Sequence, residues 1–133
     1  MECKNINVMV VDDEADFREL LTFWLQSKGY SVIPADTAEA AVRLAKEKKP
    51  DIIFMDLRMP GVDGVEAIQR IRKFDKDVPI IVISAHLDNE KAKLTCDYGI
   101  SGIFYKGEDF KEGLALLEAT LRTHKKLKKN RSP

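Results

Sequence analysis

Short runs of consecutive apolar residues alternate along this chain with longer stretches in which apolar residues return at every third or fourth position. The first run, over 5–11, is rich in β-branched residues and too brief for a helix, and it ends abruptly in Asp12, Asp13 and Glu14. From Ala15 to Lys28 the spacing turns helical: Phe17, Leu20, Leu21, Trp24 and Leu25 form one stripe, and Gly29 stops it. On that stripe Trp24 reads as a packing residue. Ser31 to Ala35 is a second strand, after which Thr37 caps a helix over Ala38 to Lys48 and Pro50 closes it.

The run Ile52-Ile53-Phe54-Met55 has no polar break, as expected of a strand covered on both faces, and it delivers Asp56 at its carboxyl end. Met59-Pro60-Gly61 marks a turn; Val65, Ile68, Ile71 and Phe74 mark a third helix; and Ile80-Ile81-Val82-Ile83 is a strand ending at Ser84. A weaker helix over 88–98 is closed by Gly99, a fifth strand from Gly102 to Tyr105 ends at Lys106, and a last helix runs from Asp109 to about Lys128. Five strand-then-helix units with short connections predict an α/β fold: a doubly wound, five-stranded parallel sheet between two helical layers. Right-handed crossovers leave no simpler packing.

Composition narrows this picture without changing it. At 133 residues the chain supports one core rather than two. Its 22 basic and 22 acidic residues balance, but the segment from Arg122 to Arg131 is basic throughout its charged positions, so the main body is mildly acidic. The expected division is a domain over 1–122 and a basic helical extension or tail over 123–133. The tail has no aromatic interleaving and predicts a frayed, solvated helix rather than direct nucleic-acid contact. No apolar run is long enough to span a membrane and the first residues lack a signal-peptide pattern, so a cytoplasmic location is expected. Cys3 and Cys96 have no paired spacing or companion histidine and read as free thiols.

In an open α/β sheet, ligands bind outside the carboxyl ends of the strands. Those ends hold Asp12 and Asp13, Asp56, Ser84 and Lys106. Three carboxylates in one crevice are tolerable only if one is protonated or a cation lies among them, and an oxygen-rich site free of histidine and thiol suits Mg²⁺. Metal, Lys106 ammonium and Ser84 hydroxyl together would match the charge of a phosphoryl group from three directions. Taken singly, each of these residues is an ordinary cap, turn or surface side chain. The ordered set is specific.

VVDDE, DLRMPGVDG, a Ser closing one buried strand and a Lys closing the next resemble the receiver domains of bacterial response regulators, over about residues 5 to 122. The resemblance implies a flavodoxin-like strand order 2-1-3-4-5 and a two-component role. Asp56 would accept phosphate from the phosphohistidine of a sensor histidine kinase or phosphotransfer protein. Asp12, Asp13, Asp56 and the backbone carbonyl of Arg58 would hold Mg²⁺, Asp12 acting mainly through water, with Ser84 and Lys106 completing the catalytic set. The domain would catalyse its own phosphorylation and dephosphorylation without being an enzyme in the wider sense. Its modified face would address a downstream output domain or protein, and homodimerisation through the fourth helix, fifth strand and last helix is a further mode of association.

Two positions depart from the family pattern. The usual switch aromatic on the fifth strand is Ile103, which leaves Tyr105, on the same face by period two, as the candidate aromatic of the output surface. Gly107 stands where many receivers carry proline, predicting a trans peptide and a more mobile loop after Lys106. Arg58 and His86, two residues beyond Asp56 and Ser84, are candidates for tuning the phosphoryl lifetime. In this reading the site presents Asp56 outward to its donor. The competing readings are a degenerate receiver that binds proteins without phosphorylation and an aspartyl-phosphate hydrolase, the latter lacking an evident acid-base residue. The abruptly ending basic helix favours origin in a longer protein.

Overall fold

The computed structural model describes residues 6–59, 61, 63–84 and 97–123. The chain alternates strand and helix: β1 (Asn7–Val11), α1 (Ala15–Ser27), β2 (Ser31–Ala35), α2 (Ala38–Lys48), β3 (Ile52–Asp56), α3 (Gly64–Arg72), β4 (Ile80–Ser84), β5 (Gly102–Tyr105) and the last helix, α4 (Phe110–Thr123). All strand pairings are parallel and the sheet order is β2-β1-β3-β4-β5, as the sequence led us to expect. The fourth helix expected over 88–98 falls almost wholly outside the described residues, as do His86, Cys3, Cys96 and the tail beyond Thr123.

Strand periodicity divides the core in two. Met9, Val11, Ile53, Met55, Ile80 and Val82 pack with Ala38, Ala41, Ile68 and Ile71 from α2 and α3. The alternate residues Val8, Val10, Ile52, Phe54, Ile81, Ile83 and Phe104 pack with Leu21 and Leu25 of α1 and Leu117 and Leu121 of the last helix. Burial on both faces explains the unbroken apolar runs. It also forces side chains that need water to the strand ends, where chemistry can be assembled.

On the second face five aromatic residues make a continuous cluster. The Phe104 ring lies 6.4 Å from Phe17, 6.5 Å from Phe54 and 6.2 Å from Phe110, and Phe110 in turn meets Trp24 at 5.9 Å. Trp24 is thus the packing residue its position on the stripe implied. Gly113 lets the last helix lie against the Phe104 ring, since a Cβ there would stand 3.2 Å from a ring carbon.

Local chemistry sets the helix ends. Thr37 Oγ1 accepts a hydrogen bond from the Ala40 N–H at 3.0 Å, and Asp63 Oδ1 accepts one from Glu66 at 3.0 Å. Each such cap stabilises its helix by about 1 kcal/mol. Helix α2 stops at Lys48 because Lys49 turns left-handed, with φ of 50°, one residue before Pro50 acts. At the other end of the fold Arg72 donates to the carbonyls of Tyr98, Asp75 and Gly99, tying α3 to the turn that enters β5.

Two expectations about packing require correction. Leu20, assigned to the α1 stripe, is 60% exposed, so the buried stripe is narrower than five residues. Phe74 lies beyond the end of α3 and is 40% exposed, its ring lying under the Lys46 ammonium instead of in the core. Both were placed by spacing alone, which continues to count turns after the packed face has moved away.

Gly64, at the start of α3, leaves no room for a side chain: a Cβ there would stand 2.1 Å from the Asp56 carbonyl oxygen and 2.7 Å from the Leu57 Cα. Because those neighbours are backbone, they cannot rotate away. Gly64→Ala is expected to lower stability by about 1–3 kcal/mol through forced displacement of the β3–α3 connection. The denaturation midpoint measures it, and an unchanged midpoint would contradict the contact.

Candidate functional site: an acidic crevice closed by a lysine

The end of β1 turns sharply at Asp12, whose Oδ1 accepts the Glu14 N–H at 2.9 Å while its own N–H bonds to the Ala35 carbonyl of β2. This local turn buries the Asp12 carboxylate completely and leaves Asp13 exposed beside it. Asp56 continues the face of Ile52 and Phe54 on β3, and its Oδ1 accepts the Arg58 N–H at 3.0 Å. Carboxylate oxygens of Asp12, Asp13 and Asp56 lie within 4.8 Å of one another. The acids separated by more than forty residues in sequence are therefore one cluster in space.

Lys106, immediately after β5, reaches into this cluster. Its Nζ lies 3.0 Å from Asp12 Oδ2 and 3.3 Å from Asp56 Oδ2, hydrogen-bonds to Glu14 Oε1, and stands 5.0 Å from the centre of the Phe17 ring. Ser84 ends β4, is 1% exposed, and pairs in register with Tyr105, while the Ser84 carbonyl accepts the Lys106 N–H at 2.9 Å. Ile103 packs at the margin of the α2–α3 core, and Tyr105, half-buried, lies two residues on along the same strand. Arg58 is exposed; the Lys106–Gly107 peptide is trans, as expected, with Gly107 at φ of 96°.

The expectation of an outward-facing Asp56 is corrected by the structure. Asp56 keeps only 3% of its surface exposed, at the base of the crevice, with the Lys106 ammonium beside it. Glu14 and Phe17 are site residues that sequence reasoning did not single out. Glu14 sits next to the acidic pair and Phe17 on the α1 stripe, but their contact with a lysine some ninety positions later depends on how β1 and β5 are placed in the sheet.

Charge in the crevice is strained. Burial, together with the hydrogen bond and negative charge of Asp12, pushes the Asp56 carboxyl from 3.8 up to about 7, against the opposing pull of the Arg58 N–H and Lys106. Burial alone would pull the Lys106 ammonium down, but the carboxylates of Glu14, Asp12 and Asp56 outweigh it and hold its pKa above the ordinary lysine value. The residues fit a small, hard divalent cation: among the described residues the cluster offers carboxylate oxygens, no nitrogen or sulfur ligand, and a buried Asp12 Oδ2 whose hydrogen-bonding capacity is unfilled, with the Lys106 ammonium 3.0 Å away. Asp13 gives that cluster an open side toward water.

Comparison with known proteins agrees with this geometry. A probable transcriptional regulator, ycf27, of Guillardia theta is 37% identical over 115 residues, which is 86% of this chain but 45% of that protein, so the chain spans less than half of that curated relative. A response regulator receiver protein from Pseudomonas putida has the same architecture, with a TM-score of 0.79 and 34% identity over 86% of this chain and 96% of that one. The receiver domain of NtrX from Brucella abortus superposes with a TM-score of 0.82 at 27% identity, covering 87% and 98% of the two chains. The sequence model described as response regulator receiver domain matches residues 8–118, a span that starts within β1 and takes in every one of the crevice residues. Strand order, acids at the strand tips and this match lead to one assignment: the chain belongs to the response regulator receiver domain family.

Proposed function

We propose that residues 1–122 form a phosphoacceptor domain in which Asp56 takes a phosphoryl group from the phosphohistidine of a sensor kinase or phosphotransfer protein in the cytoplasm. The observation that carries this reading is the gathering of three carboxylates around one ammonium at the strand tips. Attack by an Asp56 oxygen forms the new O–P bond, the P–N bond to the donor breaks, and its electron pair returns to the imidazole nitrogen. Asp56 needs no general base for this when it is ionised, and added positive charge in the crevice would favour the ionised form over its raised pKa.

Asp12, Asp13, Asp56 and the Arg58 carbonyl would hold Mg²⁺, with Asp12 acting largely through water. When bound, the ion supplies that charge and neutralises phosphoryl oxygens. Lys106, 3.3 Å from Asp56 Oδ2, would steady the developing charge, and the Arg58 N–H orients Asp56 through Oδ1. The Ser84 hydroxyl, at the tip of the neighbouring strand, donates to a phosphoryl oxygen. Its inward shift changes the surface near its register partner Tyr105, which stands in for the aromatic that Ile103 does not provide. That surface addresses an output domain or protein, and the sequence over 123–133 reads as a basic extension. Arg58, together with His86 by its sequence position two residues after Ser84, tunes the phosphoryl lifetime.

Incubation with Mg²⁺ and acetyl phosphate is expected to add one phosphoryl group, transiently, to the wild-type chain and none to Asp56→Asn. Chelation of the metal should abolish the reaction, and Lys106→Ala should slow it by about 100-fold, as loss of an oxyanion donor does. Intact mass spectrometry reads each outcome. The near-complete burial of Asp56 is the observation favouring a phosphorylation-independent binding module, and absence of modification in the wild type would favour that alternative over the phosphoacceptor.

The raised pKa also predicts a pH dependence. In metal-free solution the folded Asp56 carboxyl keeps its proton up to about 7, whereas the unfolded one releases it near 3.8. The folded state thus binds more protons between those values, and stability falls as pH rises through that interval. Asp56→Asn removes this contribution. It should stabilise the metal-free protein by about 1–3 kcal/mol near pH 8 and hardly at all below about pH 4. Urea denaturation at the two pH values checks the sign, and an equal effect at both would refute it.

A further inference from the structure

Lys106 has three ammonium protons and three carboxylate neighbours: Asp12, Asp56 and Glu14. Two of these are buried, Asp12 wholly and Asp56 to within 3% of its surface, whereas the Glu14 side chain is 61% exposed. The ammonium is therefore saturated before any phosphoryl oxygen arrives. It is also held in place from the outside by Glu14 and from below by the Phe17 ring. Modification of Asp56 turns the Lys106 proton it held toward the phosphoryl group, and a second proton can reach that group only if Asp12 or Glu14 gives way. Releasing Asp12 would strand a buried charge, while releasing Glu14 returns a carboxylate to water at small cost.

We propose that Glu14 is a positioning residue that holds the Lys106 ammonium beside Asp56 in the unmodified domain and competes with the incoming phosphoryl group for it. This rests on the phosphoacceptor reading above and adds to it the regulation of the same site. Glu14 acts in two ways. It occupies one donor of Lys106, and it places a negative charge at the exposed side of a crevice that an anionic donor must enter. The domain is thereby set to a slower basal uptake of phosphate from small anionic donors. A protein donor that brings its own positive charge to Glu14 relieves the restraint.

Removing a charge from an exposed position leaves the fold intact, because Glu14 makes no side-chain cap to α1. Melting temperature provides the control for folding. With Mg²⁺ and acetyl phosphate, Glu14→Gln is expected to be phosphorylated about three- to fivefold faster than wild type at low salt, the factor that an exposed ion pair of ordinary strength corresponds to. Its affinity for beryllofluoride, measured by calorimetry, should rise by a similar factor. Glu14→Asp, whose carboxylate is one methylene short, should fall between the two. The advantage of Glu14→Gln should shrink as ionic strength rises, a response that a purely structural role would not give. Glu118→Gln, which removes the same charge from an exposed site on the last helix, should behave as wild type.

Equal rates and affinities for wild type and Glu14→Gln would overturn the role of Glu14 while leaving the phosphoacceptor reading standing. Acceleration by Glu118→Gln to the same extent would also overturn it, since net charge rather than position would then be responsible. If neither protein took up phosphate or beryllofluoride, the phosphoacceptor reading itself would fall, and the inference with it.

Discussion

Three carboxylates crowded at the tips of a buried parallel sheet repel one another, and the arrangement survives because positive charge is brought to them. In the described residues that charge comes from Lys106, which contacts Asp12 and Asp56 at once. The compensation is partial, since Asp56 still titrates well above the usual carboxylate range. A site left short of positive charge is a site with affinity for more of it, which is the electrostatic basis on which the proposed function rests.

The surrounding fold follows from the need to cover both sheet faces. Alternate residues of β1, β3 and β4 enter opposite cores, so their apolar runs admit no polar residue until the strand ends. At those ends Asp12, Asp56 and Ser84 appear almost level, because the strands are parallel and paired with little stagger. Gly64 then allows α3 to start directly against the Asp56 carbonyl.

Much of this was legible in the sequence because it is carried by local rules. Uninterrupted runs such as Ile52 to Met55 declare doubly covered strands, Thr37 declares a cap, and the order of the strand-end residues declares the crevice. What was not legible depends on distances that no local rule encodes. The contacts of Lys106 with Glu14 and Phe17 arise only when β5 takes its place in the sheet and α1 packs beneath it. The depth of Asp56 depends on the same closure, and an outward-facing residue was wrongly inferred from its position at a strand end. Leu20 and Phe74 were misplaced for a related reason: helical spacing gives an angle around the axis but not where the neighbouring layer stops.

The aromatic cluster gives the lysine a second address. Phe17, on whose face the ammonium rests, also touches Phe110 at 5.8 Å, the first residue of the last helix, and Phe110 leans on Trp24. The charge at the strand tips and the seating of the terminal helix thus share one ring. Whenever the ammonium withdraws, Phe17 loses an electrostatic partner on one side while keeping its apolar partners on the other. The indole of the chain's single tryptophan, one ring further on, is placed to register that loss as a change in its surroundings.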